Sequence, residues 1–334
     1  MLLPLVHAIP AGTGAVRLVD YLKAHLVAVP VTEIGDLITS GFVAIEIHGG
    51  VKAGRTIDIV TDGDRILVDA AALTALERAA RWNPPWDWPI PILHEDDDML
   101  VVSKPAGMHV HPLGNKREHT LVNALVSHAG CRDGDPWAAW RPHVVQRLDY
   151  VVSGLLVIAK NAESKAALVR EQKRYEVRRT YVAMTSGVVA GDNGVIDGAI
   201  GRDPFVRGRR CVSSPQRDGL RALTRWRVLA RHHDRTLVEL SPETGRTHQL
   251  RVHLASIGHP IVGDRLYQPA DPGAPSANRD HEDSTTADHG CAIALHASEL
   301  RLRHPRSGEP LFFRLDPPAG FDLAALGPRA AGSP

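Results

Sequence analysis

Gln146-Arg147-Leu148-Asp149, followed by Ser153-Gly154-Leu155-Leu156-Val157-Ile158-Ala159-Lys160, puts a carboxylate at the end of a short extended run. A turn-forming Ser-Gly and an apolar strand come next. Alternation places Arg147 and Asp149 on one strand face. A charged pair beside a buried strand suits either an edge ion pair or a reactive acid. A second stretch, from Glu243 to Leu254, packs many polar donors into a dozen residues: Thr244, Arg246, Thr247, His248, Gln249, Arg251 and His253. It ends in helical apolar spacing, with Leu250, Leu254 and Ile257 on one side.

Other polar clusters carry weaker signals. His109-Val110-His111 alternates as a strand metal pair would, but no third ligand follows at a compelling spacing. The run is not read as a metal site. His232 and His233 suit an exposed turn. Three cysteines, Cys131, Cys211 and Cys291, lie far apart with no Cys-x-x-Cys, which favours a reducing compartment and disfavours structural zinc. Met1 to Pro10 is apolar but short and lacks a basic n-region, which makes a poor secretion signal, and no run of about 18 apolar residues exists. The expectation is a cytoplasmic, membrane-free monomer.

The net charge is only +1, so overall basicity does not argue for a nucleic-acid partner. Local charge does. Ten arginines lie between Arg202 and Arg235 against Asp203, Asp218 and Asp234. Arg170, Lys173, Arg174, Arg178 and Arg179 face only Glu171 and Glu176. Such clusters are ordinarily solvated faces, and here they are equally candidate phosphate contacts.

The elements that must position these residues follow from spacing. Residues 1–15 read as a tail. Over residues 16–70, Leu18, Leu22 and Leu26, then Ile34, Leu37 and Ile38, have helical spacing. Strand alternation from Gly41 meets a Gly49-Gly50 turn. Residues 71–91 read as a linker, with the Trp86-Asp87-Trp88-Pro89 run a packing clamp between domains. Residues 92–317 form the large unit. Thr120 and Asn161 are plausible helix caps, and 222–241 forms a hairpin around residues 232–235. Residues 269–290 have no apolar period and read as a mobile insertion, and 318–334 as a second tail.

The two central stretches resemble the signature regions of RNA pseudouridine synthases of the large-subunit (RluA-like) type. The likeness runs through Ile92–Pro112, with its Lys104-Pro105-Ala106-Gly107, and through Arg179–Gly187, Leu237–Tyr267 and Leu295–Pro305. Gln146 stands where the family has His, and Tyr150-Val151-Val152 replaces a more polar trio. The resemblance implies an α+β fold, mixed but mainly antiparallel. It also implies that the small N-terminal α/β unit is similar to a ribosomal-protein RNA-binding domain. That unit carries five basic against eight acidic side chains over 17–69, which disfavours phosphate contact.

By that resemblance Asp149 is the catalytic carboxylate, Arg251 its partner, Tyr181 lies against the target uracil, and Arg147 occupies the RNA near the flipped nucleotide. Arg246, His248 and Gln249 either support the pocket or serve as caps and turn hydrogen bonds. No cofactor or metal is implied, and the partner is ribosomal or transfer RNA. The chemistry needs an ionised carboxylate. A buried carboxyl alone tends to hold its proton, and an adjacent cation reverses that preference. Removing Asp149 is then expected to leave Arg251 buried and unpaired. Two rival readings remain at this point. A retaining glycosidase would need a second carboxylate about 5 Å away, with Glu239 or Glu243 available by type. A catalytically weak RNA-binding protein or RNA chaperone would follow if Gln146 disables the site.

Overall fold

The computed structural model describes residues 4–47, 50–78, 84–112, 117–132, 137–174, 176–214, 217–268 and 292–321. The expected insertion at 269–290 and all but the start of the expected C-terminal tail lie outside them.

The N-terminal unit is built from β1 (Leu5–Ala8), β2 (Val16–Arg17), α1 (Leu18–His25), α2 (Val31–Thr39), β3 (Val43–Ile47), β4 (Gly50–Ala53), β5 (Ile59–Val60), β6 (Arg65–Val68) and α3 (Ala70–Arg78). Its sheet runs β1-β6-β3-β4. The helices bury the predicted stripes: Leu18, Leu22, Ile34, Leu37 and Ile38 all enter one core. Two boundaries move. Residues 5–8, expected in a tail, pair antiparallel with β6, because Leu5 and Ile9 supply apolar area that the small core needs. Residues 70–78, expected mostly in a linker, form a helix whose Ala72 and Leu73 fill the same core.

The larger unit continues with β7 (Ile92–Glu95), β8 (Met99–Lys104), α4 (Leu121–His128), β9 (His143–Val144), β10 (Ser153–Ala159), α5 (Ala162–Lys173), β11 (Arg178–Ser186), β12 (Asn193–Asp197), β13 (Ile200–Arg202), β14 (Arg210–Val212), β15 (Leu223–His232), β16 (Arg235–Pro242), α6 (Gln249–Ser256), β17 (Leu295–Arg303) and β18 (Pro310–Arg314). Ten of these strands form one sheet, ordered β12-β15-β16-β11-β17-β10-β8-β7, with β9 on β10 and β18 on β17. Every pairing is antiparallel except β10 with β17. The strands β8 and β10 are continuous apolar runs because both sheet faces are covered. Leu100, Val102, Leu156 and Ile158 enter one core, and Met99, Val101, Leu155 and Val157 the other.

Thr120 caps α4 with a reciprocal Asn123 box, and Asn161 caps α5 by accepting from the Ser164 N–H, as their residue types predict. Trp86 and Trp88 stack at 5.6 Å and pack on the core of the larger unit. They clamp that unit to itself and not to its neighbour. The tryptophan at the boundary is Trp137, which joins the N-terminal core and stacks on His7 at 4.1 Å. Beside it Arg141 is buried. Its guanidinium donates to the carbonyls of Lys23 (2.5 Å), Val27 (3.3 Å), Val29 (3.0 Å) and Leu26, at the C-terminal end of α1. A helix C-terminus carries unpaired carbonyls and partial negative charge, so a cation suits it.

The parallel contact is short and sits next to the central motif. Ser153 and Gly154 of β10 pair with His296 and Ala297 of β17, and then the strands diverge and β18 takes over along β17. Ser153 Oγ lies 2.8 Å from His296 Nδ1. Gly154 has φ +120°, and a Cβ there would sit 2.4 Å from the Ala297 carbonyl oxygen. Only glycine meets both demands. Gly154→Ala is expected to destabilise the protein by at least about 2–3 kcal/mol through overpacking and backbone strain. A melting midpoint equal to that of the unsubstituted protein would contradict this.

Among the described residues no helix is long and apolar enough to cross a membrane.

Candidate active site

Where β10 meets β17, the chain arrives through a tight turn: the Val152 N–H donates to the Asp149 carbonyl at 3.1 Å. Leu148 and Val152 on either side enter the main core, which fixes the turn while Asp149 stays 30% exposed. The α6 helix delivers Arg251 from the far side of the sequence. Leu250 and Leu254 bury in the same core, whereas Ile257, expected on that stripe, caps the helix and is largely exposed. Arg251 NH1 comes to 3.6 Å from Asp149 Oδ2.

That approach is an ion pair but not the closest one Arg251 makes. Its Nε and NH2 donate to Asp264 Oδ2 and Oδ1 at 2.7 and 2.9 Å, a two-pronged bond between buried groups. Burial works against the Arg251 charge, and the hydrogen bonds and charge of Asp264 more than restore it, so the guanidinium is held above its ordinary range. Arg251 is therefore a fixed cation, held from behind by Asp264 and turned toward Asp149 in front. The sequence expectation that Arg251 would depend on Asp149 alone is corrected here. Asp264 was missed. The signal available was a lone acid in the apolar run Ile261-Val262-Gly263-Asp264.

Two more groups complete the setting. Tyr267 lies with its ring 5.1 Å below the Arg251 guanidinium. Its hydroxyl is 2.9 Å from His248 Nδ1 and accepts the Arg210 N–H at 3.0 Å. Lys104 is fully buried at the end of β8, and its ammonium donates to the carbonyls of Pro105 (2.7 Å), Met108 (2.9 Å) and Tyr150 (3.4 Å). It ties the turn after β8 to the residue following Asp149. Burial drives its pKa down to about 7, against the pull of the nearby Asp149 charge.

A lysine whose folded pKa is depressed binds its proton more weakly than the unfolded chain does. Between about pH 7 and the ordinary lysine value near 10.4 the unfolded state holds more protons, so stability rises with pH through that window, by at most about 1.4 kcal/mol per unit. Lys104→Met lacks this contribution. The stability difference between the unsubstituted protein and the variant is thus expected to shift in favour of the unsubstituted protein from pH 7 to 9. Chemical denaturation at several pH values measures it, and a pH-independent difference would refute it.

The other expected site residues divide. Tyr181 lies on β11, 6% exposed, in the same core as Leu148 and Leu250. Arg147 is exposed. His248 reaches Tyr267 from a left-handed backbone (φ 57°) just ahead of α6. Arg246 and Gln249 serve as local scaffolding. Arg246 Nε donates to the Arg221 carbonyl at 3.0 Å. Gln249 accepts from the Thr244 hydroxyl and the Arg246 N–H, and donates to the Leu223 carbonyl and Thr224 hydroxyl. Its amide is fully occupied within the protein. Gln146 is buried, and neither of its amide heavy atoms has a hydrogen-bond partner among the described residues. Nothing in the structure explains that.

The His109-Val110-His111 run bends and is not a strand; the His109 and Val110 carbonyls accept the Leu121 and Val122 N–H groups at the start of α4. His109 stacks obliquely on Tyr150 at 4.5 Å, beside Asp149. Asp96, Asp98 and His304 offer three ligand atoms within 4.8 Å. Their capacity is spent internally. Asp98 accepts from Arg306 at 2.5 and 2.8 Å and from Ser164 and Asn161, and Asp96 from His94 and His304. Glu239 and Glu243, the acids a glycosidase would need, pair instead with Arg227 and Arg225.

Comparison with known proteins assigns the chain to a family. A family model described as RNA pseudouridylate synthase matches residues 98–256. A ribosomal large subunit pseudouridine synthase D of Nitrosomonas europaea is 43% identical over 242 residues, covering 71% of this chain and 64% of that protein. An uncharacterized RNA pseudouridine synthase of Bacillus subtilis is 38% identical over 295 residues, covering 88% of each chain. Among solved structures, human RNA pseudouridylate synthase domain containing 4 superposes with a TM-score of 0.54 at 26% identity, covering 75% of this chain and 93% of that one. The fold, the order of the motifs and these relatives lead to one statement: the chain belongs to the RNA pseudouridine synthase family, of the large-subunit type, whose members are isomerases that convert uridine to pseudouridine in RNA.

Proposed function

We propose that this protein isomerises uridine in ribosomal RNA, in the cytoplasm and as a monomer, with Asp149 as the catalytic residue. The observation that carries the reading is the half-open Asp149 carboxylate facing a buried guanidinium that a second acid already holds in place. Preorganised charge of this kind needs no rearrangement when substrate arrives.

The reaction breaks the bond from ribose C1′ to uracil N1, turns the base, and joins C1′ to uracil C5. N1 ends with a proton and C5 loses one, so the mass is unchanged and no oxidant is consumed. Asp149 acts at the sugar. Arg251 balances its charge, and Tyr181 lines the base side. A uridine within RNA structure must leave its stack first, at a cost of a few kcal/mol that contacts to the flanking nucleotides offset. Arg147, which is exposed, takes part in those contacts. Ribosomal substrate is favoured because relatives named for the ribosomal large subunit recur among the most similar proteins.

The test is conversion of uridine to pseudouridine in an unmodified large-subunit ribosomal RNA transcript, read as a carbodiimide-dependent stop to reverse transcription. Release of free uracil would instead indicate hydrolysis. RNA binding with no conversion would indicate a binding protein.

A further inference from the structure

The ten arginines between Arg202 and Arg235 do not form one basic face. Arg209, Arg225, Arg227, Arg231 and Arg235 pair with Asp203, Glu243, Glu239, Asp192 and Asp234. The side chains of Arg202, Arg207, Arg217 and Arg221 are exposed and make no ion pair among the described residues, while the Arg202 backbone N–H donates to Asp218 Oδ2 at 2.8 Å. Three of those four lie on or beside one feature, the hairpin of β13 and β14.

The tip of that hairpin, Asp203-Pro204-Phe205-Val206-Arg207-Gly208-Arg209, is built and not loose. Asp203 Oδ1 accepts the N–H groups of Phe205 (2.8 Å) and Val206 (3.0 Å), and its Oδ2 accepts Arg209 Nε (2.6 Å). The backbone closes through Asp203 N–H to the Arg209 carbonyl at 3.0 Å, with Gly208 at φ +81°. This ordered loop holds Phe205 92% exposed. A single exposed apolar side chain is ordinary. An aromatic ring held in water on a loop with its own hydrogen-bond frame, three residues after Arg202 and two before Arg207, is a different matter.

The hairpin is also tied to the active site. The Arg210 N–H donates to the Tyr267 hydroxyl, and Tyr267 lies against Arg251, which faces Asp149. Arg210 is in register with Arg202, and Phe205 is three residues further on, within about 10 Å of Arg202 along the chain.

We propose that Phe205 is a stacking platform for an unpaired base of the RNA, on a nucleotide neighbouring the target uridine, with Arg202 and Arg207 contacting its phosphates. The proposal rests on the reading of the protein as an RNA isomerase. RNA fits the chemistry because every base offers an apolar face to an aromatic ring, and the phosphates match the surrounding cations.

The full-length protein carrying Phe205→Ala, Phe205→Leu or Phe205→Trp tests it. The probes are the unmodified large-subunit ribosomal RNA transcript and a short single-stranded oligoribonucleotide containing 2-aminopurine. Phe205→Ala is expected to weaken binding of both by roughly 5- to 150-fold, the range for losing one stacked base. Trp should restore binding and the quenching of 2-aminopurine, whereas Leu should not. Unaltered binding by Phe205→Ala, or full rescue by Leu, overturns the stacking role while leaving the isomerase reading intact. An unsubstituted protein that neither binds nor converts the transcript would overturn both.

Discussion

Asp149→Asn is expected to abolish pseudouridine formation while leaving the melting midpoint almost where it was. The substitution keeps the shape and removes the charge. Loss of a positioned acid or base costs roughly 10²- to 10⁴-fold, and in the proposed reaction the Asp149 carboxylate has that role. The small effect on stability follows from geometry. Asp149 is 30% exposed and sits 3.6 Å from Arg251, beyond hydrogen-bond length. Arg251 keeps both bonds to Asp264 after the change, so no buried cation is stranded, and a partly exposed pair contributes about 0–1 kcal/mol. Single-turnover conversion and a thermal melt on the same preparation measure the two halves. Turnover near that of the unsubstituted protein would remove Asp149 as the catalyst.

The second large effect belongs to Asp264, which is 1% exposed. Asp264→Asn leaves one acceptor oxygen where Arg251 had two, and places an amide N–H₂ against the guanidinium. The cation stays buried with its charge no longer matched. Stranding one member of a buried pair costs about 3–5 kcal/mol, which for a protein of this size lowers the midpoint by roughly 4–7 °C. Activity should fall too, because Arg251 is then free to turn onto Asp149 and occupy the oxygen that must meet the ribose. Replacing both partners by apolar residues, Arg251→Met with Asp264→Leu, should be less destabilising than Asp264→Asn alone, since no charge is then left unpaired. An Asp264→Asn protein with unaltered melting and turnover would show that the rear support of Arg251 is dispensable.

Much of the architecture was legible because it rests on local rules. The stripes of α1 and α2, the caps at Thr120 and Asn161, and the hairpin of β15 and β16 all follow from spacing and turn chemistry. Asp149 and Arg251 were legible as a pair only through the family likeness, since nothing in their 102-residue separation brings them together. Asp264 and Lys104 were harder to see. Each is a charged residue at the end of an apolar run, a pattern that also describes countless surface residues, and burial of the charge is decided by tertiary packing. Residues 5–8 show the same limit from the other side: four residues can form an edge strand only once a partner such as β6 exists.

Arg141 has a consequence for how the whole chain comes apart. Among the described residues it has no counterion and is met by carbonyls belonging to the neighbouring unit, while Trp137 from the same stretch completes that unit's core. If the small unit melted by itself, it would leave an indole uncovered and a guanidinium stripped of every acceptor. Neither fragment therefore has a comfortable intermediate to rest in, and heat should dissolve both in a single step.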